Sequence, residues 1–310
     1  MSLTPVPMLV DCDPGLDDAI ALLTAAHFAD LVGITTVDGN VGIDYTTRNA
    51  LAVAQIAGLD VEVHRGAARP LADQPRGARH VHGATGLGDV ELPEITRSVE
   101  SEDAVGFIIE TSHRVEGLHL VAVGPLTNVA EALQQDASLP ERLGGLTLMG
   151  GAAVGGNVTA AAEFNIWADP EAADVVFRLG GNITMVGLDV TQRVLLGPTQ
   201  VDQMRTARTP ASSLAADLLD YAISRSSELR GWTGAPIHDA CAVLAVTHPQ
   251  LFDGRRQPVD IELAGTHTRG MTVVDDRGSD ADSDANARVL RSADADAVIE
   301  LIVEAVTAVR

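Results

Sequence analysis

Short apolar runs alternate with segments of helical period along almost the whole chain, and no other feature limits the fold so tightly. Strands are predicted at 7–12, 31–37, 61–64, 118–123, 145–150, 183–188, 258–263 and 271–275. Helices are predicted at 17–29, 43–57, 101–114, 126–136, 170–179, 211–229, 238–247 and 291–309. This alternation builds an α/β protein, with an open, mostly parallel, Rossmann-like sheet flanked by helices. In such sheets ligands bind where loops leave the carboxyl ends of the strands. No Pro/Gly/Ser-rich linker and no internal repeat divides the chain, so residues 1–310 are expected to form a single domain. Irregular stretches at 65–100 and 190–210, and the segment before His238, are placed to fold over a site.

Charge narrows the choice of ligand. A formal net charge of -22 repels phosphate backbones and anionic lipid, which argues against nucleic-acid or membrane partners and favours a small neutral substrate. The basic residues are all arginine, so mechanisms that need an amine side chain are excluded. Cys12 and Cys241 have no metal-ligand spacing and are too few for a disulfide framework, which points to a reducing compartment, the cytoplasm. The first residues lack a basic region followed by an apolar run, so no signal peptide is expected. The acidic stretch 275–287 reads as a solvated loop.

The segment LVDCDPGLDDAIAL (10–23) puts Asp11, Asp13, Asp17 and Asp18 within eight positions. It reads as a strand, a Pro-Gly turn and a helix, with Asp13 at the strand's end and Asp17 and Asp18 in the helix's first turn. Capping is one explanation, since carboxylates at a helix N-terminus gain roughly 0.3–1 kcal/mol each from the macrodipole. A cation is the other, because carboxylates packed between an apolar strand and an apolar helix repel one another and resist desolvation. All-oxygen donors point to Ca²⁺ or Mg²⁺ rather than Zn²⁺. Asp11 would then share the rim or bond locally. Further polar residues fall at other strand ends: Asp38 and Asn40, Thr127 and Asn128, Asn157, Glu163 and Asn165, and His238 with Asp239. A cation, several amides and carboxylates, and one His suit a polyhydroxylated ligand such as a sugar.

The pattern DCDPGLDDA (11–19), followed in order by DGN, VHGATGLGD, AVGPLTNVA, MGGA, EFNIWADPEAA and HDACAV, resembles the inosine-uridine-preferring nucleoside hydrolase family. The match runs from residue 8 to about 246 and is looser beyond. The resemblance implies that family's fold and Ca²⁺-dependent hydrolysis of ribonucleosides to ribose and free base. It implies Asp13, Asp18, Asp239 and the Thr127 carbonyl as metal ligands, with Asp13 also the base toward water. Asp17, Asn40, Asn165 and Asp239 match the contacts to the ribose hydroxyls, Asn157 and Glu163 those near the 5′-hydroxyl, and Met149 the residue beneath the sugar. His82 and His238 would face the base, His238 as the acid for the leaving group. Relatives are commonly homodimers or homotetramers.

One departure concerns that histidine. Family members that use it support it with aromatic side chains from the segment just upstream, where this chain offers only Tyr221 and Trp232. Trp232 either stacks on the base or packs its segment against the core, and Trp167 is expected in the core. A haloacid-dehalogenase-like phosphatase also begins with a strand, D-x-D and a metal. The absent lysines, Pro14 after Asp13 and the extra Asp17–Asp18 pair argue against it. A non-catalytic Ca²⁺-dependent nucleoside-binding protein would keep the pocket without Asp13 and His238, and both are present.

Overall fold

The computed structural model describes residues 5–277 and 284–309. Residues 278–283 of the expected acidic loop lie outside the described residues. In chain order the described strands are β1 (Pro7–Cys12), β2 (Asp30–Thr36), β3 (Val63–Arg65), β4 (His119–Ala122), β5 (Gly145–Met149), β6 (Ile183–Val186), β7 (Leu195–Leu196), β8 (Ala235–Pro236), β9 (Phe252–Gln257), β10 (Val259–Ile261), β11 (Thr272–Val274) and β12 (Ala287–Ala293). Between them lie α1 (Leu16–Phe28), α2 (Ile43–Ile56), α3 (Arg79–His82), α4 (Ala104–Arg114), α5 (Thr127–Gln135), α6 (Leu139–Arg142), α7 (Phe164–Ala168) and α8 (Pro170–Leu179). The remaining helices are α9 (Leu188–Thr191), α10 (Pro198–Ala207), α11 (Pro210–Arg230), α12 (His238–Thr247) and α13 (Ala295–Ala308).

Eight strands form one sheet in the order β3-β2-β1-β4-β5-β6-β12-β9. Every neighbouring pair is parallel except β12 with β9. Strands in such a sheet are covered on both faces, which is why they read as near-continuous apolar runs. In β1, Leu9 packs into one core with Leu120 and Leu148, while Met8, Val10 and Cys12 pack into the other. Helix α1 lies in that second core, buried from Leu16 through Ala25. The chain leaves β1 toward β2 on one side and returns as β4 on the other, so the strand order reverses between β1 and β4. A crevice at the carboxyl ends follows from that reversal, and it is where open α/β sheets hold ligands.

Beyond residue 190 the structure corrects the sequence reading of several elements. Residues 287–293, expected in part to start the last helix, are a sheet strand, and the helix begins after Asp294. The runs near 258–263 and 271–275 do form strands, but they pair antiparallel with each other outside the main sheet. The stretch 190–210 is not irregular: it contains β7 and α10. No helix among the described residues is long and apolar enough to cross a membrane.

Candidate active site

Strand β1 delivers Asp13 to the reversal point, and the Pro14–Gly15 turn starts α1 so that Asp17 and Asp18 occupy its first turn. Asp239 arrives from the first turn of α12. All four aspartates are buried. One carboxylate oxygen each from Asp17, Asp18 and Asp239 lies within 4.8 Å of the others. Asp13 adjoins them: its N–H donates to Asp18 Oδ1 at 3.1 Å, and its own Oδ2 accepts from the Asn40 N–H at 2.6 Å. Its Oδ1 is buried with no hydrogen-bond partner.

The capping explanation is half right. Asp18 accepts from the Gly15 N–H at 2.8 Å, reaching back across the first turn of α1. Capping leaves the orphaned oxygen of Asp13 and the crowding of four acids unexplained. Burial drives the Asp17 carboxyl up to about 7, with the Asp18 charge adding to the rise. Burial, then the neighbouring Asp18 charge, holds Asp13 well above the ordinary carboxylate range. Burial, then Asp17, does the same to Asp239, and burial raises Asp18. Four ionised carboxylates here need a counter-charge, and an all-oxygen donor set with an unsatisfied buried oxygen fits a hard divalent cation. Asp11 has another role: Thr35 Oγ1 and Asn128 Nδ2 donate to its Oδ1 at 2.6 and 2.7 Å. The opening motif therefore divides, with Asp11 tying β1 to its neighbours and the other three aspartates gathered around the turn between β1 and α1.

A cavity of about 470 Å³ opens onto the cluster. Its wall contains ten residues singled out from sequence: Asp17, Asn40, His82, Met149, Asn157, Glu163, Asn165, Trp232, His238 and Asp239. Asp13, Asp18 and Thr127 are not in the wall. Thr127 opens α5, buried, with its hydroxyl donating to Asp169 at 2.7 Å. Glu163 caps α7, accepting from the N–H groups of Asn165 and Ile166 and, across the loop, of Gly151 at 2.9 Å. Burial nevertheless lifts its carboxyl to about 7. Asn165 Nδ2 donates to the carbonyls of Val123 and Met149 at 2.8 and 3.0 Å, joining the β4 and β5 loops.

Both histidines are neutral donors or acceptors rather than cations. Burial takes His82 down to about 3, with His238 adding to the fall, and the Leu16 N–H donates to its Nδ1 at 3.1 Å. Burial takes His238 down to about 4, with the Arg230 guanidinium second. Trp232 lies in the wall beneath that guanidinium, 5.1 Å from ring centroid to Arg230 Cζ. Tyr221 packs on Gly83 and Gly88 instead and is absent from the wall. Trp167, expected in the core, is only partly buried, under the Arg76 guanidinium at 4.2 Å.

Sequence reasoning passed over His80, Gln192, Arg225, Leu229 and Arg230, which also line the wall. Arg225 Nε donates to the His80 carbonyl at 3.2 Å, and Arg230 donates to the Asn157 carbonyl at 3.4 Å. The end of α11 thus ties α3 to one side of the mouth and the 150–162 loop to the other. Their only sequence signal was the position of α11 just upstream of His238.

Known proteins share this fold. The family model described as inosine-uridine preferring nucleoside hydrolase matches residues 8–300, well past the point where the motif resemblance loosens. The pyrimidine-specific ribonucleoside hydrolase RihA of Shewanella woodyi is 41% identical over 304 residues, spanning 96% of this chain and 97% of that protein. The inosine-uridine preferring nucleoside hydrolase of Crithidia fasciculata is 40% identical over 279 residues, 88% of this chain and 89% of its own. Among solved structures, a purine-preferring ribonucleoside hydrolase from Gardnerella vaginalis superposes with a TM-score of 0.92 at 33% identity, covering 98% of both chains.

Proposed function

The chain belongs to the inosine-uridine preferring nucleoside hydrolase family, hydrolases of N-glycosyl bonds, and on that premise we propose that it cleaves ribonucleosides to ribose and free base with the help of bound Ca²⁺. The observation that carries the reading is the buried cluster of carboxylates, one oxygen of Asp13 unsatisfied, at the base of a cavity large enough for a nucleoside. The phosphatase alternative loses its footing with the family assignment.

Asp13, Asp18, Asp239 and the Thr127 carbonyl are the proposed ligands, with Asp17 close enough to join them. A bound cation would neutralise these carboxylates and supply Lewis-acid polarisation of the attacking water and the ribose hydroxyls. Asp17, Asn40, Asn165 and Asp239 hold the ribose hydroxyls, Asn157 and Glu163 the 5′-hydroxyl, and Met149 supports the sugar. The C–N bond breaks with its electron pair on the base while the sugar gains oxocarbenium character, which the surrounding carboxylates stabilise. Asp13 takes a proton from the attacking water as its oxygen bonds the anomeric carbon. His238 donates from its neutral ring to the departing base and regains the proton from solvent. His82 and Trp232 complete the base subsite.

We further propose one working domain, a homodimer or homotetramer, and a cytoplasmic setting, the last supported by two buried free cysteines. Base release from a panel of purine and pyrimidine ribonucleosides, followed by chromatography before and after prolonged chelation, tests the function. Chelator-sensitive release that disappears in Asp13→Ala is expected. Nucleoside binding without release by Ca²⁺-replete protein would favour the non-catalytic binder.

A further inference from the structure

Among the described residues no aromatic ring stacks on the acid proposed for the leaving group, and the structure puts a hydroxyl beside it. His238 Nδ1 lies 2.7 Å from Thr191 Oγ1. Thr191 ends α9 at the carboxyl side of β6 and is completely buried. The two residues are held in register by more than their own bond. The Ile237 N–H donates to the Val194 carbonyl at 3.3 Å, and β7 pairs with β8 through Leu195 and Pro236, so this short antiparallel ladder leads into the contact. The Leu188 N–H donates to the Gly151 carbonyl at 2.9 Å, anchoring α9 to the loop after β5.

The direction of the hydrogen bond follows from counting donors. In a neutral imidazole one nitrogen donates and the other accepts. Among the described residues the Thr191 hydroxyl has no acceptor other than His238 Nδ1. Were Nδ1 protonated, the hydroxyl would accept from it and its own proton would be buried without a partner, a costly arrangement. We propose that Thr191 is a positioning residue that donates to His238 Nδ1, fixing the tautomer that carries its proton on Nε2 and turning that N–H toward the leaving base. The inference rests on the reading of His238 as the group that assists the leaving base. The other tautomer would present a lone pair to a base that is gathering electrons, and would repel it.

Two measurements decide this, one of them independent of turnover. In protein labelled with ¹⁵N at histidine, the His238 resonances, assigned by their loss in His238→Ala, should report the Nε2–H tautomer in the native chain and a mixture or the Nδ1–H form in Thr191→Val. On ribonucleosides Thr191→Val should lower kcat roughly ten- to hundredfold with KM little changed, part of what a positioned acid contributes. The loss on p-nitrophenyl riboside, whose leaving group needs no acid, should be under about threefold, and Thr191→Ser should restore both tautomer and rate. A native Nδ1–H tautomer, or a tautomer unchanged in Thr191→Val, overturns the proposal. Equal rate losses on both substrates also overturn it. A native chain that releases no base defeats the reading of function, while the ¹⁵N spectra still decide the tautomer.

Discussion

At the scale of single residues, the site is a set of carboxylates held against their own preference. Glu163 shows the consequence outside the proposed ligand set. Burial places its pKa near 7 against an ordinary 4.5, so the folded chain binds its proton more tightly than the unfolded chain does. Stability then falls as pH rises through the window from 4.5 to about 7, by up to the order of 3 kcal/mol for this one group. Thermal unfolding of chelated protein should show this decline, and Glu163→Gln should flatten part of it because amides do not titrate. An unchanged slope in the variant would mean that Glu163 is not the buried acid responsible. The aspartates were legible because three of them stand within six positions of one another. Arg225 and Arg230 were not, because a surface arginine and one lining a cavity look alike until the last turn of α11 is brought across the mouth.

At the scale of elements, the turn between β1 and α1 does the most to shape the site. Gly15 has φ -105, which any residue can adopt. What an added Cβ would meet is His82 Nδ1 at 2.3 Å and Asn40 Nδ2 at 2.8 Å, so glycine is required there by neighbours rather than by backbone. Gly15→Ala should therefore raise KM for ribonucleosides at least tenfold by displacing His82 and Asn40. Its melting temperature should stay within a few degrees of the native value, and steady-state kinetics beside a thermal melt check both halves. The strands that build this region were readable in full or within two residues, since a strand buried on both faces is a run of aliphatic residues. Strand β9, FDGRRQ, was not readable: it is an edge strand, and four of its six residues are partly or fully exposed. The end of strand β12, residues 291–293, was absorbed into the predicted last helix because no Gly or Pro separates them. The break is Asp294, whose side chain caps α13 by accepting from the Ala297 N–H at 3.2 Å.

At the scale of the whole molecule, the net charge and the buried cluster act in the same direction. A chain of charge -22 repels itself, and its most costly carboxylates are those removed from water. Burial raises the pKa values of Asp13, Asp17, Asp18 and Asp239. The folded state should then gain from any ion that binds it and not the unfolded chain, by about 2.7 kcal/mol at a hundred times Kd. Ca²⁺ should raise the melting temperature of chelator-treated protein at low micromolar to millimolar concentration, and monovalent salt at equal ionic strength should not reproduce the shift. Mg²⁺, smaller and slower to shed its water, should stabilise less. Asp239→Asn should abolish the Ca²⁺ shift by removing a charge from the cluster, whereas Glu163→Gln, outside the proposed ligands, should preserve it. A shift equal for Ca²⁺ and monovalent salt would assign the effect to screening of the surface charge and leave the cluster without its cation.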